Sequence, residues 1–352
     1  MKDSIFRTGL DVLHYSGLAR AARPLTGGLG AIFMLHHVRP PRPGREGFAP
    51  NAGLDVTPEF LDAVIAFVKA RGWRLLSLRE AAAELREGTA ARREPFAVFT
   101  LDDGFRDNME HAWPVFRRHG CPFTIFVAPA YADGEGELWW DALEEAIAGN
   151  DEVRPGLPGL PERLACATTE EKKAAWDAIY WPVRGMEQHA QRRWARAFAA
   201  AHGVDMVALC RREVMNWDEL RRMVADPLCD IGAHTIHHYA LALLEEGEAF
   251  EEMVRSKARL EAELGRPIPT FAYPYGDATS AGRRDFALAA RAGFEAAVTT
   301  RKGLVQARHA EHLTALPRVS LNGFYQKIRH VDVLLSGLPF ALFNRGRLLD
   351  VG

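Results

Sequence analysis

Cysteine is scarce in this chain, which has four copies among its 352 residues. None of them forms a Cys-X-X-Cys pair, and they stand far apart: Cys121, Cys166, Cys210 and Cys229. This distribution argues against a disulfide framework and against a zinc site built from cysteine, and it fits a reducing compartment. An excess of charge is also absent, because 44 Lys and Arg are balanced by 46 Asp and Glu. Without a basic surplus, the sequence offers no electrostatic case for nucleic-acid binding.

Long apolar runs are missing as well. No segment approaches the roughly 20 consecutive apolar residues that a membrane-spanning helix needs. Basic side chains interrupt the apolar runs near the N-terminus: Arg7, His14, Arg20 and Arg23. We therefore expect no secretory signal and a cytoplasmic protein. The most apolar run, residues 331–343, is broken by Gly337 and Pro339. We expect it to pack on the body of the protein, with peripheral contact to a membrane surface as the alternative.

Short apolar segments alternate with helical patterns along most of the chain. The segments that we predict to be buried strands are residues 31–35, 96–99, 123–127, 229–233, 270–273, 296–298 and 316–321. The repeated order of strand, helix and strand predicts an α/β fold with a parallel sheet, either open or closed into a barrel. Reactive residues follow several different strands, whereas an open sheet would gather them at one switch point. We therefore favour a (β/α) barrel.

The pattern also suggests boundaries within the chain. Residues 1–30 are predicted to be a helical lead-in, and residues 31–325 to form the barrel. Between about residues 138 and 212 the pattern becomes helical only, which indicates a helical insertion in the barrel. Residues 326–352 are predicted to be a tail that packs on the barrel.

Two adjacent carboxylates, Asp102 and Asp103, follow the apolar run at residues 96–99. Strand residues alternate faces, so both cannot lie inside a sheet without burying an unpaired charge. We expect them where the strand ends and the chain opens to solvent, which in parallel α/β folds is the edge where active sites gather. Taken alone, Asp-Asp-Gly is often no more than a turn.

A histidine-rich segment, residues 234–238, follows another predicted strand. On a helical turn, the rings of His234 and His238 would project to one face and could share a metal. Asp103 would complete a set of three ligands with a position left open for water, whose pKa the metal lowers to about 7. Asp102 could then take the proton as general base. Histidines at this spacing are more often surface or capping features, but the coincidence with Asp102 and Asp103 at strand ends favours a metal site.

Three segments resemble the motifs of the polysaccharide deacetylase family (the NodB-homology domain, or carbohydrate esterase family 4). Residues 100–104 resemble its T-F-D-D-G motif, and residues 234–238 match its H-[ST]-x-x-H motif. Residues 271–276 are similar to its third motif in the A-Y-P-Y-G form of one branch. The order of the motifs fits the family over roughly residues 31–325, apart from the insertion.

The resemblance implies a distorted (β/α) barrel and a divalent metal, usually Zn²⁺, held by Asp103, His234 and His238. It also implies hydrolysis of N-acetyl (or O-acetyl) groups on a saccharide, with Asp102 as the general base that accepts a proton from metal-activated water. By the same resemblance, the backbone N–H of Tyr275 would help to bind the oxyanion of the tetrahedral intermediate, an electrostatic role.

The sequence departs from the family at two places. Ala272 stands where the third motif commonly has an Arg that orients the catalytic Asp. Arg318, near the end of a later predicted strand, is the candidate replacement, with a surface Arg as the alternative. The late L-x-H motif, which supplies the general acid, is not evident, and residues 309–312 lie in a polar connector. His36, directly after the first predicted strand, is the candidate acid, with a structural histidine as the alternative.

Three functions remain open at this stage. The first is a metal-dependent deacetylase that acts on an acetylated amino sugar of an oligo- or polysaccharide, including a lipid-linked biosynthetic intermediate. The second is an amidohydrolase with the same fold that acts on a small non-sugar amide. The third is a non-catalytic saccharide-binding domain, which would have no need for a general base at Asp102. Trp139 and Trp140 could stack on sugar rings, but at the start of an insertion helix they are expected to be packing anchors.

Overall fold

The computed structural model describes residues 2–41 and 47–352. The strands are β1 Gly30–Leu35, β2 His37–Val38, β3 Asp55–Val56, β4 Arg74–Leu75, β5 Phe96–Leu101, β6 Phe123–Val127, β7 Glu152–Val153, β8 Leu164–Ala165, β9 Cys229–Ala233, β10 Thr270–Ala272, β11 Ala296–Lys302 and β12 Leu316–Ser320. The α-helices are α1 Lys2–Tyr15, α2 Leu18–Thr26, α3 Pro58–Ala70, α4 Leu78–Arg86, α5 Trp113–His119, α6 Pro129–Ala132, α7 Trp139–Gly149, α8 Thr169–Arg184, α9 Gln188–Ala201, α10 Met206–Glu213, α11 Trp217–Val224, α12 Glu246–Leu264, α13 Arg283–Arg291, α14 Ile328–Leu334 and α15 Leu338–Phe343.

Seven parallel strands close into a barrel, which confirms the predicted (β/α) barrel. Their order is β1-β12-β11-β10-β9-β6-β5, and β5 pairs back with β1. The short strand β4 adds to the start of β5. The barrel is distorted, because the register of β11 against β12 shifts between Val298 and Lys302. Parallel closure brings the carboxyl ends of all seven strands to one rim, where the site is built.

The alternation of side chains along β5 separates the two sides of the barrel wall. Phe96 and Val98 are buried in a cluster with Ile32 of β1 and the apolar face of α4. Phe99 points the other way, and its ring stacks on Phe33 at 4.9 Å in the main core. Continuing the same period of two, Thr100 and then residue 102 face the barrel interior. The strand therefore delivers a carboxylate to the inside of the rim.

Several helices begin where the sequence predicts. Thr57 caps α3, and its side chain accepts a hydrogen bond from the Phe60 N–H. Ser77 and Glu80 form a capping box at the start of α4, which satisfies two backbone donors reciprocally. These local signals place the helices that cover the first barrel strands.

The insertion contains α7 to α10, and it has its own apolar cluster that includes Trp139 and Trp140. The expectation of helix only is wrong in one detail, because β7 and β8 pair as a short antiparallel hairpin between α7 and α8. Both strands are two residues long, too short to leave an alternating pattern in the sequence. The proposed domain limits stay predictions.

The C-terminal residues form α14 and α15, and Val331, Val333 and Leu334 are buried as expected for a packed tail. Leu342 and Phe343 on α15 are exposed instead. Within the described ranges, every helix is too short or too polar to cross a bilayer. The four cysteines are buried and free.

Candidate active site

Asp102 and Asp103 follow the end of β5 at the rim of the barrel, at the predicted place along the chain. The sequence argument placed them in contact with solvent, and this is wrong: the exposed fractions of Asp102 and Asp103 are 3% and 2%. Asp103 takes a left-handed backbone conformation with φ 73°, which turns the chain so that both carboxylates point into the site. The burial of Asp102 is tolerated because a buried arginine pairs with it, and Asp103 lies against two histidines that could share a cation with it.

Arg318 of β12 lies beside Asp102, on the far side of β1. Its Nη1 and Nη2 donate to Oδ1 and Oδ2 of Asp102, each at 2.7 Å. The same guanidinium also donates to Thr100 Oγ1 at 3.1 Å and to the Thr299 carbonyl at 2.8 Å. Arg318 is 1% exposed, which excludes the alternative of a surface arginine. The structure thus brings Arg318 and Asp102 together, and the orienting role of Arg318 stays a prediction.

The guanidinium of Arg318 keeps the Asp102 carboxyl group ionised. Burial alone would raise the pKa of this carboxyl, but Arg318 outweighs burial and lowers the pKa to about 2. Asp102 is therefore an anion with a fixed orientation at any pH near neutrality.

Asp103, His234 and His238 come together on the other side of the cavity floor. One potential ligand atom from each lies within 4.8 Å of the other two. Asp103 Oδ1 is 3.6 Å from His234 Nε2 and 3.2 Å from His238 Nε2. His234 Nδ1 donates to the Ala272 carbonyl at 2.7 Å, which leaves the lone pair of Nε2 directed at Asp103. Three groups that suit Zn²⁺ thus converge on one point.

These residues fit a divalent metal for a further reason. Asp103 Oδ1 is buried and has no hydrogen-bond partner among the described residues, and an orphaned buried carboxylate oxygen is costly unless a cation meets it. Burial raises the pKa of Asp103. Burial, helped by His238, lowers the pKa of His234 to about 4, and burial lowers the pKa of His238 well below its ordinary value. Both imidazoles are therefore neutral at neutral pH, the form that binds a metal.

The backbone of residues 234–238 corrects the sequence argument. The segment is an irregular loop rather than a helical turn, and Thr235 and His238 both have φ 59°. The rings of His234 and His238 converge through these left-handed residues, with centroids 4.9 Å apart. The four-residue spacing therefore identified the right two histidines, but the helical turn on which that prediction rested is absent from residues 234–238.

Two charged side chains hold this loop. The buried Glu252 carboxylate of α12 accepts hydrogen bonds from the N–H groups of Ile236 at 2.9 Å and His237 at 3.0 Å. It also binds the His237 ring, at 2.6 Å, so His237 faces away from the site. From the insertion, Arg192 donates to the His238 carbonyl at 3.0 Å. The conformation is thus set by residues distant in sequence.

The two histidines after β1 have different surroundings. His37 Nδ1 donates to Asp107 at 2.6 Å, and its ring stacks on Phe105 with centroids 3.6 Å apart. His36 instead lines the cavity, with Nε2 at 3.9 Å from Asp102 Oδ2. Burial lowers the pKa of His36. Neither His309 nor His312 lines the cavity, so of the three histidines considered as the acid, His36 is the one that lies beside Asp102.

Tyr275 follows β10 in a left-handed conformation, with φ 59°. Its hydroxyl accepts a hydrogen bond from Trp139 Nε1 at 2.8 Å, and its ring lies 3.6 Å from the Arg184 guanidinium carbon. Within the described parts of the chain, its backbone N–H donates to no protein acceptor. A donor held by strained backbone and left unused beside the cavity is suited to an oxyanion.

A cavity of about 300 Å³ joins these groups, and the helical insertion forms part of its wall. The insertion contributes Trp140, Tyr180, Trp181 and Arg184. The last three were not recognised from the sequence, because no motif covers α8 and its helical period does not tell which face meets the barrel. Trp140 is buried as a packing anchor, yet its ring also borders the site.

Residues 186–297 match the model of the family described as polysaccharide deacetylase. The matched region contains His234, His238 and the segment around Tyr275, and it does not reach Asp102. A search among curated proteins finds no match.

Solved structures of similar fold include several deacetylases. The deacetylase PplD of Streptococcus pyogenes, in complex with acetate, gives a TM-score of 0.54 at 17% identity, over 84% of this chain and 92% of that chain. IcaB from Ammonifex degensii gives 0.53 at 18% identity, over 88% and 97%. A de-N-acetylase from Aggregatibacter actinomycetemcomitans gives 0.55 at 12% identity, over 86% and 99%. At these identities the likeness establishes the fold.

Proposed function

We propose that this chain, whose residues 186–297 match the model of the polysaccharide deacetylase family, is a metal-dependent hydrolase that removes N-acetyl groups from amino sugars of an oligo- or polysaccharide. One observation carries the proposal. The Asp103, His234 and His238 ligand set lies on the floor of the same cavity as the Asp102–Arg318 pair. A non-catalytic binding domain has no need for an oriented, ionised carboxylate beside a metal site.

The proposed cofactor is Zn²⁺, held by Asp103, His234 and His238. A divalent metal at this position supplies Lewis-acid polarisation of the acetyl carbonyl and makes water nucleophilic at neutral pH. The protein fixes the ligand orientation through the Ala272 carbonyl, which holds the His234 ring by its Nδ1–H.

Asp102 is the proposed general base. Both carboxylate oxygens accept from Arg318, so the carboxylate cannot rotate and its remaining lone pairs face the cavity. Its low pKa keeps it ionised, which ensures that the base is available over the whole working pH range. Arg318 is the positioning residue in this scheme, because it acts through Asp102.

Two further groups complete the proposed reaction. The Tyr275 N–H donates to the oxyanion that forms when the acetyl carbonyl is attacked. His36, beside Asp102, gives a proton to the leaving amine. Its lowered pKa makes the protonated ring a stronger acid than an ordinary histidine, although a smaller fraction is protonated at neutral pH.

The aromatic side of the cavity supports a sugar substrate. Trp181 is 65% exposed while lining the cavity, and an aromatic face of this kind suits the C–H face of a pyranose ring. We place the protein in the cytoplasm, which its four buried free cysteines support. A cytoplasmic enzyme would meet biosynthetic precursors, including lipid-linked ones.

The test combines metal analysis with acetate release. The purified protein is expected to contain Zn²⁺ and to release acetate from chitooligosaccharides or from fragments of a bacterial exopolysaccharide. The Asp102→Asn variant is expected to keep its metal and to lose turnover by about 10²- to 10⁴-fold. Turnover of small cyclic amides without acetate release from any glycan would contradict the substrate assignment. Equal acetate release by Asp102→Asn would contradict the mechanism.

A further inference from the structure

Large apolar side chains are concentrated on one part of the surface. In the described chain, ten large apolar side chains are exposed, and eight of them lie on α1, α2 and α15. The eight are Ile5, Phe6, Val12, Tyr15, Leu18, Leu25, Leu342 and Phe343. A soluble surface normally scatters such residues singly, whereas a cluster marks a site of interaction. We call the exposed side of these three helices the terminal face.

The exposed apolar residues of α1 and α2 follow the helical repeat. Ile5 and Val12 on α1 are seven residues apart, as are Leu18 and Leu25 on α2, so each pair lies on one side of its helix. The opposite side is apolar too, because Leu10 and Ala19 are buried at 1% and 5%. Each helix therefore packs on the body with one apolar face and presents a second one outward.

The three helices form one fixed surface. Thr26 at the end of α2 donates from its hydroxyl to the Ser336 carbonyl at 2.7 Å, and Gly337 lies against Thr26 with no room for a Cβ. Arg329 of α14 donates to Asp11 of α1 at 2.6 Å. Specific contacts thus hold α1 and α2 to the C-terminal helices.

Among the side chains that the structure describes, the unpaired charges around the terminal face are positive. Arg7, Arg20, Arg345 and Arg347 are exposed, and none of the four forms an ion pair with a described residue. The described acidic side chains nearby are neutralised: Asp11 by Arg329, Asp332 by Arg23 and Arg71, and Asp350 by Arg301. The face thus combines exposed apolar stripes with arginines that pair with no described acidic side chain.

We propose that the terminal face docks on the surface of a lipid bilayer that contains anionic lipids. Helices that lie in the bilayer interface carry an apolar face flanked by Lys and Arg, and each cation near an anionic leaflet adds to the attraction. A second copy of this chain fits the surface less well. A twofold interface would bring the arginines of one copy against those of the other, and like charges across an interface are unfavourable.

Vesicle co-sedimentation tests the proposal, and it does not depend on the proposed hydrolysis. The full chain is expected to sediment with vesicles of phosphatidylcholine mixed with phosphatidylglycerol and to stay in solution with phosphatidylcholine alone. A Leu18→Gln/Leu25→Gln variant is expected to lose at least about tenfold in partition coefficient, because two leucine side chains no longer enter the interface. An Arg20→Gln/Arg347→Gln variant is expected to lose about fivefold for each charge on the anionic vesicles.

Matched controls come from the insertion. Val207→Gln removes an exposed apolar side chain, and Arg193→Gln removes an exposed arginine, both away from the terminal face. Neither is expected to change vesicle binding, and thermal unfolding checks that every variant is folded. The proposal is overturned if the wild type binds no vesicle, or if the leucine variant binds as well as the wild type. It is also overturned if the wild type is a dimer that the leucine variant converts to a monomer.

Discussion

Replacing Arg318 tests the central electrostatic argument. The pair with Asp102 has two hydrogen bonds of 2.7 Å, and the exposed fractions are 1% and 3%, so water cannot replace the lost guanidinium. Removing one partner of a buried ion pair leaves an uncompensated charge and costs about 3–5 kcal/mol. Arg318→Met is therefore expected to lower the free energy of unfolding by about that amount at neutral pH, measured by urea denaturation.

The pH dependence gives this prediction its sign. In the wild type, the pKa of Asp102 is lowered to about 2, so its stabilising charge is present above the ordinary aspartate value and is lost as pH falls through about 2. In Arg318→Met, burial without the guanidinium raises this pKa instead, and protonation relieves the buried charge. The stability difference between variant and wild type is expected to be largest at neutral pH and to shrink as pH falls towards about 4.

Two comparisons isolate the effect. In an Asp102→Asn background, Arg318→Met is expected to cost clearly less, because no carboxylate is left unpaired. Arg301→Met is the matched control, since Arg301 is also buried but its partner Asp350 is 38% exposed and can be hydrated. A loss below about 1 kcal/mol for Arg318→Met at neutral pH, or a loss that does not vary with pH, would refute the assignment of Arg318 as the partner that holds Asp102 ionised.

Three other predictions follow from the site. Glu252→Gln, which weakens the support of the loop that carries His234 and His238, is expected to reduce the affinity for Zn²⁺ by about 10- to 100-fold in a chelator competition. The same change at the exposed neighbour Glu251 is expected to have no effect. The lowered pKa values of His234 and His238 predict that Zn²⁺ affinity, titrated against pH, falls only on the acidic side of the ordinary histidine value of 6.5; a fall that begins above 7 would contradict this. His36→Ala is expected to remove the alkaline limb of kcat/KM, which the lowered pKa places below 6.5 in the wild type, and an unchanged profile would remove His36 from the mechanism.

The sequence predicted the parts of the fold that depend on local chemistry. The alternation of strands and helices predicted the barrel, and the capping residues Thr57, Ser77 and Glu80 predicted where two helices begin. The family resemblance is confirmed by the family match, while the branch within the family stays a prediction. Arg318 was proposed from the sequence because it was placed near the end of a late predicted strand, and in a closed barrel the ends of the strands meet at one rim. In the structure Arg318 is the middle residue of β12.

Other features could not be read from the sequence because distant contacts determine them. The left-handed residues Thr235 and His238 depend on Glu252 and Arg192, which lie on other elements. The sequence argument placed Asp102 in solvent because a buried carboxylate needs a partner. The partner, Arg318, lies more than two hundred residues away, and nothing in the neighbouring sequence indicates it. The contribution of α8 to the cavity depends on how the insertion is placed on the barrel, which its periodicity does not encode.

The position of Arg318 has a consequence for the assembly of the site. Its guanidinium passes β1 and links β12 to β5, strands that flank β1 on opposite sides. The two-bond contact between Arg318 and Asp102 can therefore form only after β12 has packed against β1, whatever the order in which the strands dock. The two residues are more than two hundred positions apart in the chain. The fixed orientation of the Asp102 carboxylate thus depends on a closed barrel and not on the β5 segment that carries it.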